Sequence, residues 1–354
     1  MSSLLLGLIW FPAGAFIADK VDAVVHLVTG FVKACSTLPG AGLYFPPPDV
    51  YFFACYAFAI LILFGMKRWR FSVRALATTL LIGFFSLTFF SARGDRLLRV
   101  VFLDVGQGDA VFIRGPAGST ALVDCGASTR GFDAGRAVII PYLLRSGVSS
   151  IDALILTHAD DDHIGGAPAI LSTLNVGKVI HSTGWSERGD AHLVDSIAAA
   201  RHVPVRIAFA NQEIPLSPLM KAFVLNPAKS KGARSRNDQS LVLKLQYGKT
   251  SFLLTGDAEK KSERWMAYRY DGFLKADVLK VGHHGSRSST SPEFLARVRP
   301  RYAVISCGFL NKFRHPNPRI LHRLHEAGAT IRRTDLRGAI IFQSDGKRVE
   351  QLHK

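Results

Sequence analysis

Two histidines enclose three consecutive carboxylates in THADDDHIGG, Thr157 to Gly166, directly after an apolar run from Ile151 to Leu156. Like charges this close repel and perturb one another's ionisation, so a folded chain leaves them in water or neutralises them with a cation. Two later apolar runs end in the same residue types. SFLLTGDA places Asp257 after one, and ADVLKVGHHGS places His283 and His284 after another. Alone, Asp257 is as well explained as a helix cap, and the histidine pair as a polar strand end. Three strand ends that each finish in a ligand-type residue argue instead for a metal site on one common rim. In the first of them, alternate spacing lets His158, Asp160 and Asp162 point to one side of a turning loop, with Asp161 the bystander. Gly165 and Gly166 then allow a tight entry into a helix.

Such ligands need rigid elements to hold them. From Leu97 onward, short β-branched and aromatic runs alternate with Gly, Asp and Asn turns. LLRVVFLDV, AVFIRGP and TALVDCG predict three consecutive strands that begin an antiparallel sheet. A helix over residues 136–146, a buried strand over 151–156, a helix over 166–174 and a strand over 178–181 follow. The second half repeats the theme. LVLKLQY and SFLLTGD predict a hairpin, residues 260–270 a helix, ADVLKVGHH a strand and residues 292–298 a helix. RYAVISC, a helix over 318–327, TIRRT and GAIIFQS complete it. Two β-rich halves with helices outside give an α/β fold, a four-layer αββα sandwich whose ligands gather at one edge.

The front of the chain has a different composition. Of 44 Lys and Arg and 27 Asp and Glu, only six and three precede Arg93, so the net charge of +17 divides into +3 and +14. Residues 1–93 are expected to form a membrane region and residues 94–354 the domain that carries the metal site. Two windows carry no charge, Tyr51 to Met66 and Ala75 to Ala92, close to the roughly 17–20 apolar residues that a membrane span requires. A third apolar segment, Ser2 to Ala18, is interrupted by Pro12 and lacks the basic start of a signal peptide. Asp19 to Pro39 has the spacing of an amphipathic helix, lying in the membrane interface or packed in a soluble fold. The basic loop KRWRFSVR, Lys67 to Arg74, is expected to stay cytoplasmic, which sends the domain after Arg93 to the outer face. Cys35, Cys55, Cys125 and Cys307 show no CxxC spacing and suggest neither a disulfide framework nor a cysteine zinc site.

THADDDHIGG resembles the signature loop of the metallo-β-lactamase superfamily. LDVGQGDAVFI, VDCG, NDQSLVL, TGD and LKVGHHGS are similar to the form found in ComEC-type competence proteins, and the front end resembles the last part of that family's membrane region. The resemblance implies His158 as the first ligand and Asp162 with His163 as the pair at the second metal position. It implies Asp257 as the bridging carboxylate and His283 as the late ligand; His284 is a ligand or a substrate-facing acid. Asp160 stands where the wider superfamily has histidine. No histidine is evident near RSRNDQSLVL either, where Asn237, Asp238 and Ser240 are the polar residues. Oxygen in place of imidazole moves preference from zinc toward manganese or magnesium. Two divalent ions are expected, manganese or zinc, with magnesium admissible.

Charge bears on the substrate. Lys229, Lys231, Arg234 and Arg236 lie in KSKGARSR, just before Asn237 and Ser240, and Arg287, Arg297, Arg299, Arg314, Arg332, Arg333 and Arg337 follow. A basic surface beside a metal site suits a polyanion; it also suits a lipid headgroup layer. No interleaved aromatic residues suggest base stacking there. His315 before Pro316 is structural, or touches substrate. The expected function is a multi-pass membrane protein of DNA uptake whose outer metallo-hydrolase domain cuts DNA, with Asp162 and His284 as catalytic groups and single-stranded DNA as partner. Membrane lipid, a second copy, or the missing part of a competence channel are further expected partners, since the chain is short for the family and resembles the product of a truncated or split gene. The alternatives are a non-hydrolytic DNA-binding domain of the uptake pore, and a phosphodiesterase for another phosphate ester.

Overall fold

The computed structural model describes residues 11–36, residues 73, 78–80 and 83, and residues 96–352 apart from 184, 186–188 and 230–234. The chain divides into two compact units, Met1–Pro47 and Pro48–Lys354. In the first, Phe11–Ser36 forms one continuous helix, α1. The division expected there, an apolar segment ending at Ala18 and an amphipathic helix from Asp19, is not kept. Pro12 sits in the first turn, where its missing N–H costs no hydrogen bond, so nothing interrupts the helix. Among the described residues no helix is long and apolar enough to cross a membrane. The windows at 51–66 and 75–92, the loop at 67–74 and the boundary at residue 93 lie almost wholly outside the described residues.

The second unit contains two mixed sheets. The first has the strand order β16-β15-β1-β2-β3-β5-β7-β8 and the second β14-β13-β12-β11-β10-β9. In the first sheet, β1 (Leu98–Phe102), β2 (Val111–Arg114) and β3 (Thr120–Val123) form an antiparallel meander. Then β5 (Ala153–Leu156), β7 (Val179–Ser182) and β8 (Val205–Ala208) add in parallel. The strand expected over 151–156 is split, because β4 (Ser150–Ile151) pairs with β6 (Asn175–Val176) in a separate two-stranded sheet. Asp152 lies at the break, where its carboxylate accepts the Thr120 N–H at 2.7 Å. In the second sheet, β9 (Lys221–Asn226), β10 (Val242–Tyr247) and β11 (Thr250–Leu254) are antiparallel, and β12 (Val278–Lys280), β13 (Tyr302–Ile305) and β14 (Thr330–Arg333) continue in parallel. The chain then returns to the first sheet, where β15 (Ile340–Ser344) pairs with β1 and β16 (Val349–Leu352) with β15.

Period-two alternation explains why these strands are apolar throughout. Val100 and Phe102 of β1 enter the core between the sheets, while Val101 and Leu103 pack under the outer helices. On the facing sheet Phe252 and Leu254 point inward and Leu253 outward. Phe342 makes edge contacts with Phe102 at 6.1 Å and with Phe252 at 6.4 Å, which joins the two sheets. Helices cover each outer face: α2 (Ile140–Arg145), α4 (Ala167–Thr173) and α5 (Asp190–Ala200) on one, α6 (Lys260–Tyr270), α7 (Pro292–Val298) and α8 (Pro318–Glu326) on the other. Between them in the chain, α3 is the single turn Asp161–Ile164. The result is the expected α/β sandwich, αββα in layers.

Candidate metal centre

In each sheet the parallel strands run the same way, so their C-terminal ends share a rim, the usual place for ligands in such sheets. Asp124 follows β3, Thr157 and His158 follow β5, Asp257 follows β11, and His283 and His284 follow β12. The GQGD turn after β1 joins this rim through its backbone. The Asp109 N–H donates to the Asp162 carbonyl at 3.2 Å, and the Asp109 carbonyl accepts the Gly126 N–H at 2.8 Å. This approach requires Gly108: its φ is +136°, and a Cβ there would lie 2.3 Å from the Asp162 carbonyl oxygen.

Six side chains converge beneath that rim, and all are almost wholly buried: Asp109, Asp124, His158, His163, Asp257 and His284. Within the cluster, His158, His163 and Asp257 bring ligand-type atoms within 4.8 Å of one another. So do Asp162, His163 and His284, and so do Asp109, Asp257 and His284. The Nε2 atoms of His158, His163 and His284, with one oxygen each of Asp109 and Asp257, are buried without a hydrogen-bond partner. Buried polar atoms normally find partners, so convergent lone pairs left open fit a divalent cation. The other imidazole nitrogens are held from behind. His163 Nδ1 is 2.8 Å from Asp124, which also accepts the Thr157 N–H and hydroxyl, and His284 Nδ1 is 2.9 Å from the Ser306 carbonyl. Carboxylate or carbonyl support of this kind fixes ring orientation at metal sites.

Without a cation the cluster balances its charge internally. Burial opposes the charged form of His284, but Asp257 and Asp109 outweigh it and hold the ring's pKa up at about 10. Burial, followed by the charge on His163, pushes His158 down to about 3. Burial would raise Asp162, yet the contact with His284 Nε2, 3.3 Å away, and the charge on His163 bring it to about 2. Lys280 supplies a fixed positive charge. It is 1% exposed, its ammonium pairs with Asp109, and it donates to the Gly256 carbonyl at 3.0 Å.

The structure places the anticipated residues unequally. His158, Asp162, His163 and Asp257 meet as expected, but Asp160 belongs to none of the triads. One of its oxygens pairs with Arg236 at 2.8 Å, and the other is 3.7 Å from His158 Nε2. His284 occupies the interior, whereas His283 sits on the rim with its side chain 26% exposed and Nδ1 3.0 Å from Glu259. Both histidines have left-handed backbone, φ 48° and 52°, so strand alternation, which would separate them, has already ended. Asn237 reaches His283 at 3.3 Å. Ser240 is buried, and its hydroxyl accepts the Asp257 N–H at 3.1 Å. Lys229 is exposed, with its ammonium 5.2 Å from the Phe209 ring, and Lys231 and Arg234 lie outside the described residues.

Two cavities adjoin residues of the rim, one through Glu259, the partner of His283, and one through Asp162. One, of about 520 Å³, is lined by Lys260, Lys261, Arg287, Arg319 and Arg323 together with Glu259. The other, of about 670 Å³, includes Asp160, Asp162, Arg236 and Phe313. Asp109, Asp124, Lys280 and Glu259 were not anticipated as site residues. A signal for Asp124 was present, since it ends the apolar run TALV in a carboxylate, much as Asp257 follows SFLL; Asp109 instead follows the turn GQG and precedes the apolar run AVFI.

Residues 103–308 match the metallo-β-lactamase superfamily. Curated relatives include ComE operon protein 3 of Bacillus subtilis, 35% identical over 69% of this chain and 33% of its own length. Competence protein ComA of Neisseria gonorrhoeae is 33% identical over 84% of this chain and 39% of its own. Recombination protein 2 of Haemophilus influenzae is 33% identical over 78% and 32%. The chain thus spans about a third of the length of the relatives it matches. Fold, rim and family match agree: the chain belongs to the metallo-β-lactamase superfamily, and it is similar to the competence proteins of ComEC type.

Proposed function

We propose that this chain is the metal-dependent phosphodiesterase part of a DNA-uptake system, anchored by its apolar windows at 51–66 and 75–92 and cutting DNA at the outer face of the membrane. The buried, convergent and unpartnered imidazole and carboxylate atoms beside an arginine- and lysine-lined cavity carry this reading. His158, His163 and Asp257 would hold one cation; Asp162 with His163 and His284, or Asp109 with Asp257 and His284, would hold an adjoining one. When bound, a divalent cation there supplies Lewis acidity toward a phosphoryl oxygen. The chain's own part is to orient the phosphate and manage the proton. Lys260, Lys261, Arg287 and Arg319 hold backbone phosphates without regard to sequence. His283, with Nδ1 held by Glu259, is placed to give a proton to the leaving oxygen. The roles expected of the histidine pair are thereby exchanged, His284 becoming the ligand and His283 the catalytic group.

The test uses the full chain, stripped with chelator and reloaded with Mn²⁺, Zn²⁺ or Mg²⁺. Metal content and cleavage of single- and double-stranded DNA are measured beside Asp162→Ala, His283→Asn and His284→Asn. The expected result is metal-dependent cleavage that Asp162→Ala abolishes, with metal lost in His284→Asn and retained in His283→Asn while turnover falls. A chain that binds metal and DNA but cuts neither strand form with any ion contradicts the hydrolytic reading.

A further inference from the structure

The loop from Gly308 to His315 presents three large apolar side chains to water: Phe309 is 70% exposed, Leu310 86% and Phe313 52%. Such a group on a rigid loop calls for a partner. The loop is rigid because Asn311 ties it shut, donating to the carbonyls of Gly308 at 2.9 Å and His315 at 2.6 Å and accepting the His315 N–H at 2.9 Å. It is docked on two of the loops that carry metal-centre residues. The Gly308 N–H donates to Gln107 in the GQGD turn, and the Asn317 N–H donates to Gly285 of the HHG turn at 2.9 Å. Phe313 lies nearly parallel to His315, 5.9 Å between centroids and 17° between planes, and the His315 ring is 5.9 Å from that of His283. A row of rings therefore leads from the rim histidine outward. Lys312 lies 5.0 Å from the Phe313 ring, and Arg236, paired with Asp160 at 2.8 Å, lines the same cavity, which Asp160 to Asp162 of the metal loop also line.

From this we infer that Phe313 is a stacking platform for an unpaired base, with Lys312 and Arg236 taking the neighbouring phosphates, so that the loop selects single-stranded nucleic acid for the metal centre. An apolar ring interleaved with cations is the combination that binds single strands, because every base has a π face and every link a charge. A duplex keeps its bases stacked on one another and leaves only its phosphates to the loop. This inference rests on the phosphodiesterase reading and supplies its strand preference. The expectation that no aromatic residue lies among the basic ones is corrected, since the loop that brings Phe313 to Arg236 is distant from it in sequence.

Fluorescence anisotropy on the full chain compares an oligothymidylate, an abasic strand of equal length and a duplex, for the parent, Phe313→Ala and Phe313→Trp. The parent is expected to bind the oligothymidylate about tenfold more tightly than the abasic strand, within the range of one base–aromatic stack. Phe313→Ala loses that preference and Phe313→Trp keeps it. A preference that survives in Phe313→Ala, or is absent in the parent, overturns the inference. So does a Phe313→Ala chain that loses sedimentation with phosphatidylglycerol vesicles while its oligonucleotide preference is intact, which assigns the loop to lipid. Hydrolysis of bis(p-nitrophenyl) phosphate by the parent tests the phosphodiesterase reading separately, since that ester has no base and the binding comparison needs no turnover.

Discussion

Replacing Lys280 with Met removes a charge from the middle of the metal centre while nearly preserving volume and flexibility. In the parent the ammonium pairs with Asp109, lies 3.9 Å from Asp257 and donates to the Gly256 carbonyl, all at 1% exposure. The variant leaves the buried Asp109 carboxylate with only the imidazolium of His284, 3.5 Å away, as a near counter-charge, and breaking a buried pair from one side costs about 3–5 kcal/mol. For a domain of this size each kcal/mol moves the melting temperature by roughly 2–4 °C. Thermal unfolding in chelator should therefore fall by roughly 6–20 °C. A divalent cation bound beside Asp109 restores positive charge at the same oxygens, so the deficit should shrink when Mn²⁺ or Zn²⁺ is added. The thermodynamic cycle then requires the variant to bind metal more tightly than the parent. Recovery of about 2 kcal/mol corresponds to roughly 30-fold in affinity. Circular dichroism melts with and without metal, together with titration against a competing chelator, read both quantities. A deficit under about 3 °C in chelator would show that Asp109 does not depend on Lys280. An equal deficit with and without metal would refute the shared charge.

Three other outcomes follow from named contacts. Asp124→Asn removes the acceptor behind His163 Nδ1, and metal affinity should fall about 10- to 100-fold; unchanged affinity in chelator competition argues against a supporting role. Gly108→Ala meets the Asp162 carbonyl oxygen at 2.3 Å from a backbone with φ +136°, and should cost at least 1–3 kcal/mol in urea unfolding; a neutral effect would show that the turn can move. Glu263 on α6 is buried and accepts the Ser291 N–H at 2.7 Å and that of Thr290. Burial outweighs these donors and pushes it up to about 7. A raised acid pKa favours the protonated form in the folded state, so its stability contribution is complete below about pH 4.5 and is lost as pH rises through about 7. Unfolding free energies of Glu263→Gln should lack that decline, and parallel pH profiles for the two chains would contradict it.

The sandwich was legible because both faces of most strands are buried, which writes each as a short apolar run ending in a turn. The helix over Lys260–Tyr270 and the helix over Pro292–Val298 fall on their expected bounds, the second opened by its proline. Strand β9, by contrast, begins in a polar stretch and has only its second half fully buried, so its alternation is weak, and β4 separates from β5 through a carboxylate contact to a distant strand. Continuity of α1 through Ala18 was hidden by Pro12, whose meaning depends on whether it stands inside a helix or in the first turn.

At the site, residue type just after a strand was enough to bring His158 and Asp257 to a common place, because the parallel strands deliver their C-terminal ends to one rim, and His163 arrives there on the turn α3. The division of labour between His283 and His284 was not recoverable in that way. Adjacent residues on a strand point to opposite faces, but here the strand stops at Lys280, and two consecutive left-handed residues turn His284 inward against Ser306 and leave His283 against Glu259. Lys280 was illegible for a related reason. A lysine at the end of an apolar strand ordinarily carries its charge to solvent, and only the assembled rim shows that the carboxylates of Asp109 and Asp257 wait where that ammonium arrives. The charge of this centre is thus set jointly by four strand ends from both sheets. Changing any one of them should alter cation binding by others as much as by itself.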